Sequence, residues 1–205
     1  MTRLDRRLLW MGLVVGAALV VSGIQPHDRV TWWLEVAPVL VAAPILFVTR
    51  ERFPLTPLLY WVILVHCLVL ILGGAYTYAR VPLGFWLQDL FELTRNPYDK
   101  IGHFMQGVTP ALVAREIFLR GGHVKGAKMT AFLAVCVSLA VSAFYELIEW
   151  WAALALGQGA DEFLGTQGDV WDTQSDMFLA LLGAAAALAL LGGLQQRQAA
   201  ALRAR

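Results

Sequence analysis

Between Leu8 and Ile24, and again between Met177 and Leu194, the chain carries no charged residue. Each run is close to the ~20 apolar residues that cross the hydrocarbon core of a bilayer as a helix. Similar runs recur between them. The whole chain is 59% hydrophobic and only 15% charged, against about 25% charged in soluble domains. The sequence therefore predicts an all-α, polytopic membrane helix bundle forming a single integral membrane domain over residues 1–205. A formal net charge of +1 gives no basic field for a nucleic-acid partner.

The spans are expected at about Leu8–Ile24, Trp32–Val48, Pro57–Tyr76, Pro97–Leu119, Lys128–Leu156 and Gln174–Leu194. The first run follows Arg3, Arg6 and Arg7, but it is long for a signal peptide and Val21-Ser22-Gly23 is a poor cleavage site. Residues 80–95 mix aromatic and charged side chains, the pattern of an amphipathic segment lying at the interface. Asn96 and Pro97 predict an N-cap followed by proline at the first helical position. Cys67 and Cys136 lack any metal-type spacing and are expected as buried, unpaired thiols.

Six spans put both termini on one side. If that side is cytoplasmic, the inner segments hold 12 of the 16 Lys and Arg: Arg3, Arg6, Arg7, Arg50, Arg52, Arg115, Arg120, Lys125, Lys128, Arg197, Arg203 and Arg205. Only Arg29, Arg80, Arg95 and Lys100 are left for the outer side. The positive-inside rule then predicts an N-in, C-in topology.

This orientation organises the acids. Asp169, Asp172 and Asp176 stand three and four residues apart just before the last apolar run, a spacing that puts them on one face of a helix. Thr173 and Asp176 fit a capping box. Asp99 and His103 open the fourth span, and Glu146 and Glu149 lie near the outer end of the fifth. Three helices thus bring an imidazole and several carboxylates to a similar depth. Ionisable groups in a membrane are costly and are retained for function. This mixture suits a divalent cation, Zn, Mg or Mn, with His103, Glu146, Asp172 and Asp176 as ligands. Glu149 or Asp99 would then act as base or support the ligands. Without a metal, the same set is an acid–base site.

Blander roles compete residue by residue. Asp99 and Asp176 near helix N-termini satisfy the dipole. Glu35 is expected at the interface, and His66 as a hydrogen-bonded core histidine. Arg115 and Glu116 are expected to snorkel or pair. Trp32, Trp33, Trp150, Trp151 and Trp171 fit an outer aromatic belt. Glu146 is hardest to explain this way, because dipole capping does not account for an acid near the C-terminal end of a helix.

Tyr98-Asp99-Lys100-Ile101-Gly102-His103-Phe104, Glu146-Leu147-Ile148-Glu149-Trp150 and Gly168-Asp169-Val170-Trp171-Asp172-Thr173-Gln174-Ser175-Asp176-Met177 resemble the YjdF family of predicted bacterial inner-membrane proteins. The resemblance covers most of the chain and is best over about 97–185. It implies a multi-pass protein of the bacterial inner membrane but no reaction, since the family's function is unknown. A looser similarity is to VanZ-like proteins, linked to glycopeptide resistance. They share Asp-Lys-x-x-His opening a helix, an acidic helix, and a last helix that begins with Asp and ends in Gly. Glu149 stands where that family has Gln.

Three functions are compatible with these residues. One is a membrane-embedded enzyme acting on a membrane lipid or lipid-linked substrate at the outer leaflet. Another is a proton- or ion-coupled transporter, disfavoured by the lack of an internal repeat. The third is a non-enzymatic structural or resistance protein whose acids form a hydrogen-bonded network.

Overall fold

The computed structural model describes residues 3–157 and 161–203; Arg205, counted above with the inner basic residues, lies outside them. Among the described residues the regular elements are all helices: α1 Arg3–Ile24, α2 Arg29–Thr49, α3 Pro57–Tyr76, α4 Pro82–Leu90, α5 Tyr98–Gly121, α6 Ala127–Leu156, α7 Asp161–Leu164 and α8 Asp172–Arg203. Five of them (α1, α2, α3, α6 and α8) are long and apolar enough to cross a membrane. α5 has 24 residues, enough to span at about 1.5 Å per residue. Its polar content sets it apart from the five, and its position in the bundle accounts for it. It packs against α3, α6 and α8 and is enclosed by them.

Local sequence explains most boundaries. Thr56 caps α3 by accepting the Leu59 N–H, and Pro57 follows at the first turn. Asp28 caps α2 by accepting the Thr31 N–H at 2.7 Å, and the helix begins at Arg29, three residues before the expected start. The Asn96 side chain takes the Tyr98 N–H at 3.0 Å, although the helix itself begins one residue later than expected. α8 opens at Asp172 and runs to Arg203, nine residues past the expected end. The amphipathic segment is the short α4, with Leu83, Phe85, Trp86 and Leu90 exposed.

The closest helix crossing is α5 on α8. A β-carbon on Gly107 would lie 2.0 Å from the Ala180 carbonyl oxygen, and one on Gly183 would lie 2.1 Å from that of Phe104. Ala111, Ala184 and Ala187, all buried, continue the seam. Without a hydrophobic drive between helices in lipid, such small-residue faces provide the packing. α6 is tied to α5 differently. Pro110 has no N–H, so the carbonyl four residues earlier, Gln106, loses its helical donor. Ser138 on α6 donates to that region, at 2.8 Å to the Gly107 carbonyl.

At the end of the bundle holding the termini, Glu116 is fully buried. Its carboxylate accepts the Thr56 N–H at 2.8 Å and the Thr56 hydroxyl at 2.7 Å. Arg120 donates to it at 2.9 Å and Gln195 at 3.2 Å. Glu116, expected with Arg115 to snorkel or pair, thus sits in a buried network joining the start of α3, α5 and α8, while Arg115 donates to Gln195 at 2.9 Å and Gln196 at 3.3 Å. Other expectations are also corrected. Trp32 is buried, with its indole N–H on Ser22 at 3.0 Å, while Trp33, Trp150, Trp151 and Trp171 are exposed. Cys67 is buried, but Cys136 faces outward.

Candidate carboxylate–histidine centre

The opposite end collects the acids. Asp99 and His103 are one turn apart on α5, and Asp99 Oδ1 lies 3.2 Å from His103 Nε2. Lys100 points about 100° further round the helix, toward α8. Its Nζ donates to Asp172 Oδ1 at 2.8 Å, Ser175 Oγ at 2.7 Å and Asp176 Oδ1 at 2.7 Å. Asp176 Oδ2 faces the other way, 3.8 Å from His103 Nε2. This carboxylate, 2% exposed, therefore bridges lysine and histidine rather than closing a capping box.

From α6 come Glu146 and Glu149, three residues apart and on one face. Glu146 Oε1 lies 3.9 Å from His103 Nδ1. Glu146 is 8% exposed, and its Oε1 has no hydrogen-bond partner. Gln106 Oε1 is 3.1 Å from the same His103 nitrogen. Two sets of three side chains can each bring donor atoms within 4.8 Å of one another: Asp99, His103 and Asp176, and His103, Glu146 and Glu149. His103 belongs to both.

Of the six residues singled out in the sequence, Asp99, His103, Glu146, Glu149 and Asp176 are brought together around one imidazole. Asp172 is not. Its Oδ1 is held by Lys100 and, at 2.6 Å, by Arg95, so its charge is already met. Asp169 precedes α8, so the three aspartates do not share a helix face. It pairs with Arg95 at 3.1 Å and accepts the Trp171 N–H at 2.9 Å. Burial opposes the charged form of Arg95, but the Asp172 and Asp169 carboxylates outweigh it and hold the guanidinium above its ordinary pKa. Arg95 also donates to the Thr166 carbonyl at 2.5 Å. Asn96 and Gln167 exchange two hydrogen bonds at 3.1 and 3.0 Å. These contacts fasten the segment before α8 to the start of α5.

The sequence did not mark Lys100, Arg95, Gln106 or Tyr145 as part of the centre, and it placed Glu35 elsewhere. Glu35 is 4% exposed, not interfacial, and accepts the Tyr145 hydroxyl at 3.0 Å. His66 lacks the hydrogen bond expected of a core histidine at its Nε2. Tyr78 follows α3 and packs against α5 between Asp99 and His103. A β-carbon at Gly102 would come within 2.7 Å of its ring, so that position requires glycine. Burial pushes the Tyr78 phenol well above its ordinary pKa, and Glu35 adds to the effect.

Six acids (Asp99, Glu146, Glu149, Asp169, Asp172 and Asp176) thus meet three basic side chains, Arg95, Lys100 and His103. The bases are concentrated on Asp169, Asp172, Asp176 and Asp99. Of these bases, Glu146 and Glu149 have only His103 within ligand reach.

The family described as predicted membrane protein (DUF2238) matches residues 7–197. The chain is also similar to the inner membrane protein YjdF of Escherichia coli (strain K12). The two are 59% identical over 186 residues, covering 91% of this chain and 89% of that protein. No solved structure matches the chain.

Proposed function

The chain belongs to the DUF2238 family of predicted membrane proteins, and on that footing we propose that it is a divalent-cation-dependent inner-membrane enzyme acting on a lipid or lipid-linked substrate. Six spans with both termini in the cytoplasm put the carboxylate–histidine centre at the outer leaflet. The inner-membrane location follows the similar Escherichia coli protein. The observation that carries the reading is Glu146 Oε1, buried, without a hydrogen-bond partner and 3.9 Å from His103 Nδ1. An uncompensated carboxylate at this depth costs about 2.5–3.5 kcal/mol on insertion scales. A cation shared with His103 and Glu149 offsets that cost.

In this reading His103 Nδ1, Glu146 and Glu149 hold the cation. Asp99 accepts the Nε2–H from the other side, fixing the ring's tautomer and orientation. Glu149 is therefore a ligand rather than the base. Asp172 and Asp176 are not ligands but hold Lys100 against α5. Gln106 Oε1 and Glu146 Oε1 both flank Nδ1, so a cation held there would need that nitrogen free of its proton. The cation, Zn, Mg or Mn, would polarise an ester or phosphoryl oxygen or activate a water. The ends of the spans lie at headgroup depth, where a lipid presents such a group.

Metal analysis of detergent-purified protein tests the reading. About one equivalent of a divalent metal is expected, lost in Glu146→Gln and in Glu149→Gln but retained in Asp172→Asn. Wild-type protein at background metal content, after purification without chelator and after reloading with Zn, Mg and Mn, would sink it.

A further inference from the structure

Beside the centre lies a cavity of about 320 Å³ running between α2, α3, α5 and α6. Its polar wall is made by Glu35, Asp99, Glu149, His66, His103 and Tyr145. Its apolar wall includes Leu70, Val113, Val141 and Phe163. Among the described residues no Lys or Arg lines it, although Lys100 and Arg95 are close by and turned toward α8.

Three observations make this a built site rather than a packing gap. Asp99, 9% exposed, lines the cavity with an Oδ2 that makes no hydrogen bond, Lys100 Nζ standing 3.8 Å away. His66 Nε2 and Thr109 Oγ1, on two different helices along the same wall, are also buried without partners. Buried polar atoms left unpaired each cost about 1–3 kcal/mol, and here three of them belong to the lining of one cavity. An apolar packing defect would carry none.

The lining also selects the ligand. Three carboxylates with no lysine or arginine disfavour a phosphate or carboxylate group. Tyr78 and Tyr145 add phenol rings, which complement a cation both through their faces and through their hydroxyls. The aliphatic and Phe163 surface matches methylene groups. We propose that this cavity binds an alkylammonium group, carried either by the headgroup of an ethanolamine lipid or by a free aliphatic amine. The ammonium sits against Glu35 and Asp99, and its methylenes lie along Leu70 and Val141. Glu35 and Tyr145 recognise the ligand without belonging to the three residues assigned to the metal. The two readings therefore fail separately.

The experiment measures thermal unfolding of the full-length protein in detergent. It is run with added phosphatidylethanolamine, with phosphatidylglycerol of the same acyl chains, with putrescine, and with succinate. An upward shift in Tm of several degrees is expected with phosphatidylethanolamine or putrescine and not with the two anionic controls. A shift with the lipid alone assigns the source to a headgroup, and a shift with putrescine alone to a soluble amine. Tyr145→Phe should weaken the amine-dependent shift several-fold while leaving metal content at the wild-type level. Glu35→Gln should abolish the shift; Tyr145→Phe serves in its place if Glu35→Gln does not fold. No shift with either amine, or an equal shift with phosphatidylglycerol, overturns the proposal.

Discussion

Lys100 Nζ lies 2.7 Å from Asp176 Oδ1, while the other oxygen of that carboxylate faces His103 Nε2 at 3.8 Å. One aspartate therefore links the lysine that locks α8 to α5 with the imidazole at the heart of the centre. Removing one partner of a buried pair costs about 3–5 kcal/mol because the other charge is left behind. Lys100→Met leaves Asp176 without its lysine and Asp172 with Arg95 alone. With the Lys100 side chain 22% exposed, the loss is expected near the low end of that range, about 3 kcal/mol. Thermal unfolding in detergent reads it; a variant as stable as wild type would show that the lysine is dispensable.

Glu146 and His103 act as neighbours, so their losses do not add. Glu146→Gln and His103→Gln each should abolish metal retention. The double variant should be no less stable than the worse single variant, with a coupling of about 0.5–3 kcal/mol. Stability changes that simply sum in the double-mutant cycle would place the two residues in separate environments.

Gly107 and Gly193 sit on long helices but face opposite situations. A methyl group at Gly107 meets the Ala180 backbone, whereas nothing lies within 4 Å of the position it would take at Gly193. Gly107→Ala should therefore destabilise by at least about 2 kcal/mol, as overpacking does. Gly193→Ala should be neutral or stabilising by up to about 1 kcal/mol through helix propensity. Urea or thermal unfolding of the pair checks the contrast, and equal effects would contradict the close α5–α8 crossing.

The topology makes a separate prediction. A reporter fused after Arg205 should read as cytoplasmic, and Lys125→Ala and Lys128→Ala should leave metal content unchanged, because that loop joins α5 to α6 at the end away from the centre. A periplasmic readout of the fusion would invert the assignment.

The apolar runs made the helices legible because in lipid each run has to satisfy its own backbone hydrogen bonds. α3 matches residue for residue because Thr56 and Pro57 signal its start and little else competes. Asp99, His103, Glu146, Glu149 and Asp176 were legible as ionisable groups inside apolar stretches. Their partners were less so. Glu35 meets Tyr145 across 110 positions of sequence, a separation that no local spacing encodes, although an acid inside an apolar helix was itself a signal. Lys100 was counted only as an outer positive charge. Its place between Asp99 and His103, with two aspartates on α8, was the available clue. Asp169 was put on the face of α8 because sequence defines helix starts to within a few residues only, and the pairing of Asp172 with Arg95 and Lys100 depends on residues 77 and 72 positions away.

The enclosure of α5 by α8 carries a consequence for how the protein is made. α5 is the helix that hydropathy alone does not qualify as a span, yet it lies at the middle of the bundle. The groups that neutralise Lys100, together with the seam that receives Gly107, arrive on α8, which is synthesised after α5 and α6. Until then α5 carries its lysine and histidine without their partners from α8. Its stable seating in the bundle is therefore expected only once α8 has been made. A chain stopped before Asp172 would expose α5 to membrane quality control rather than yield a smaller version of the bundle.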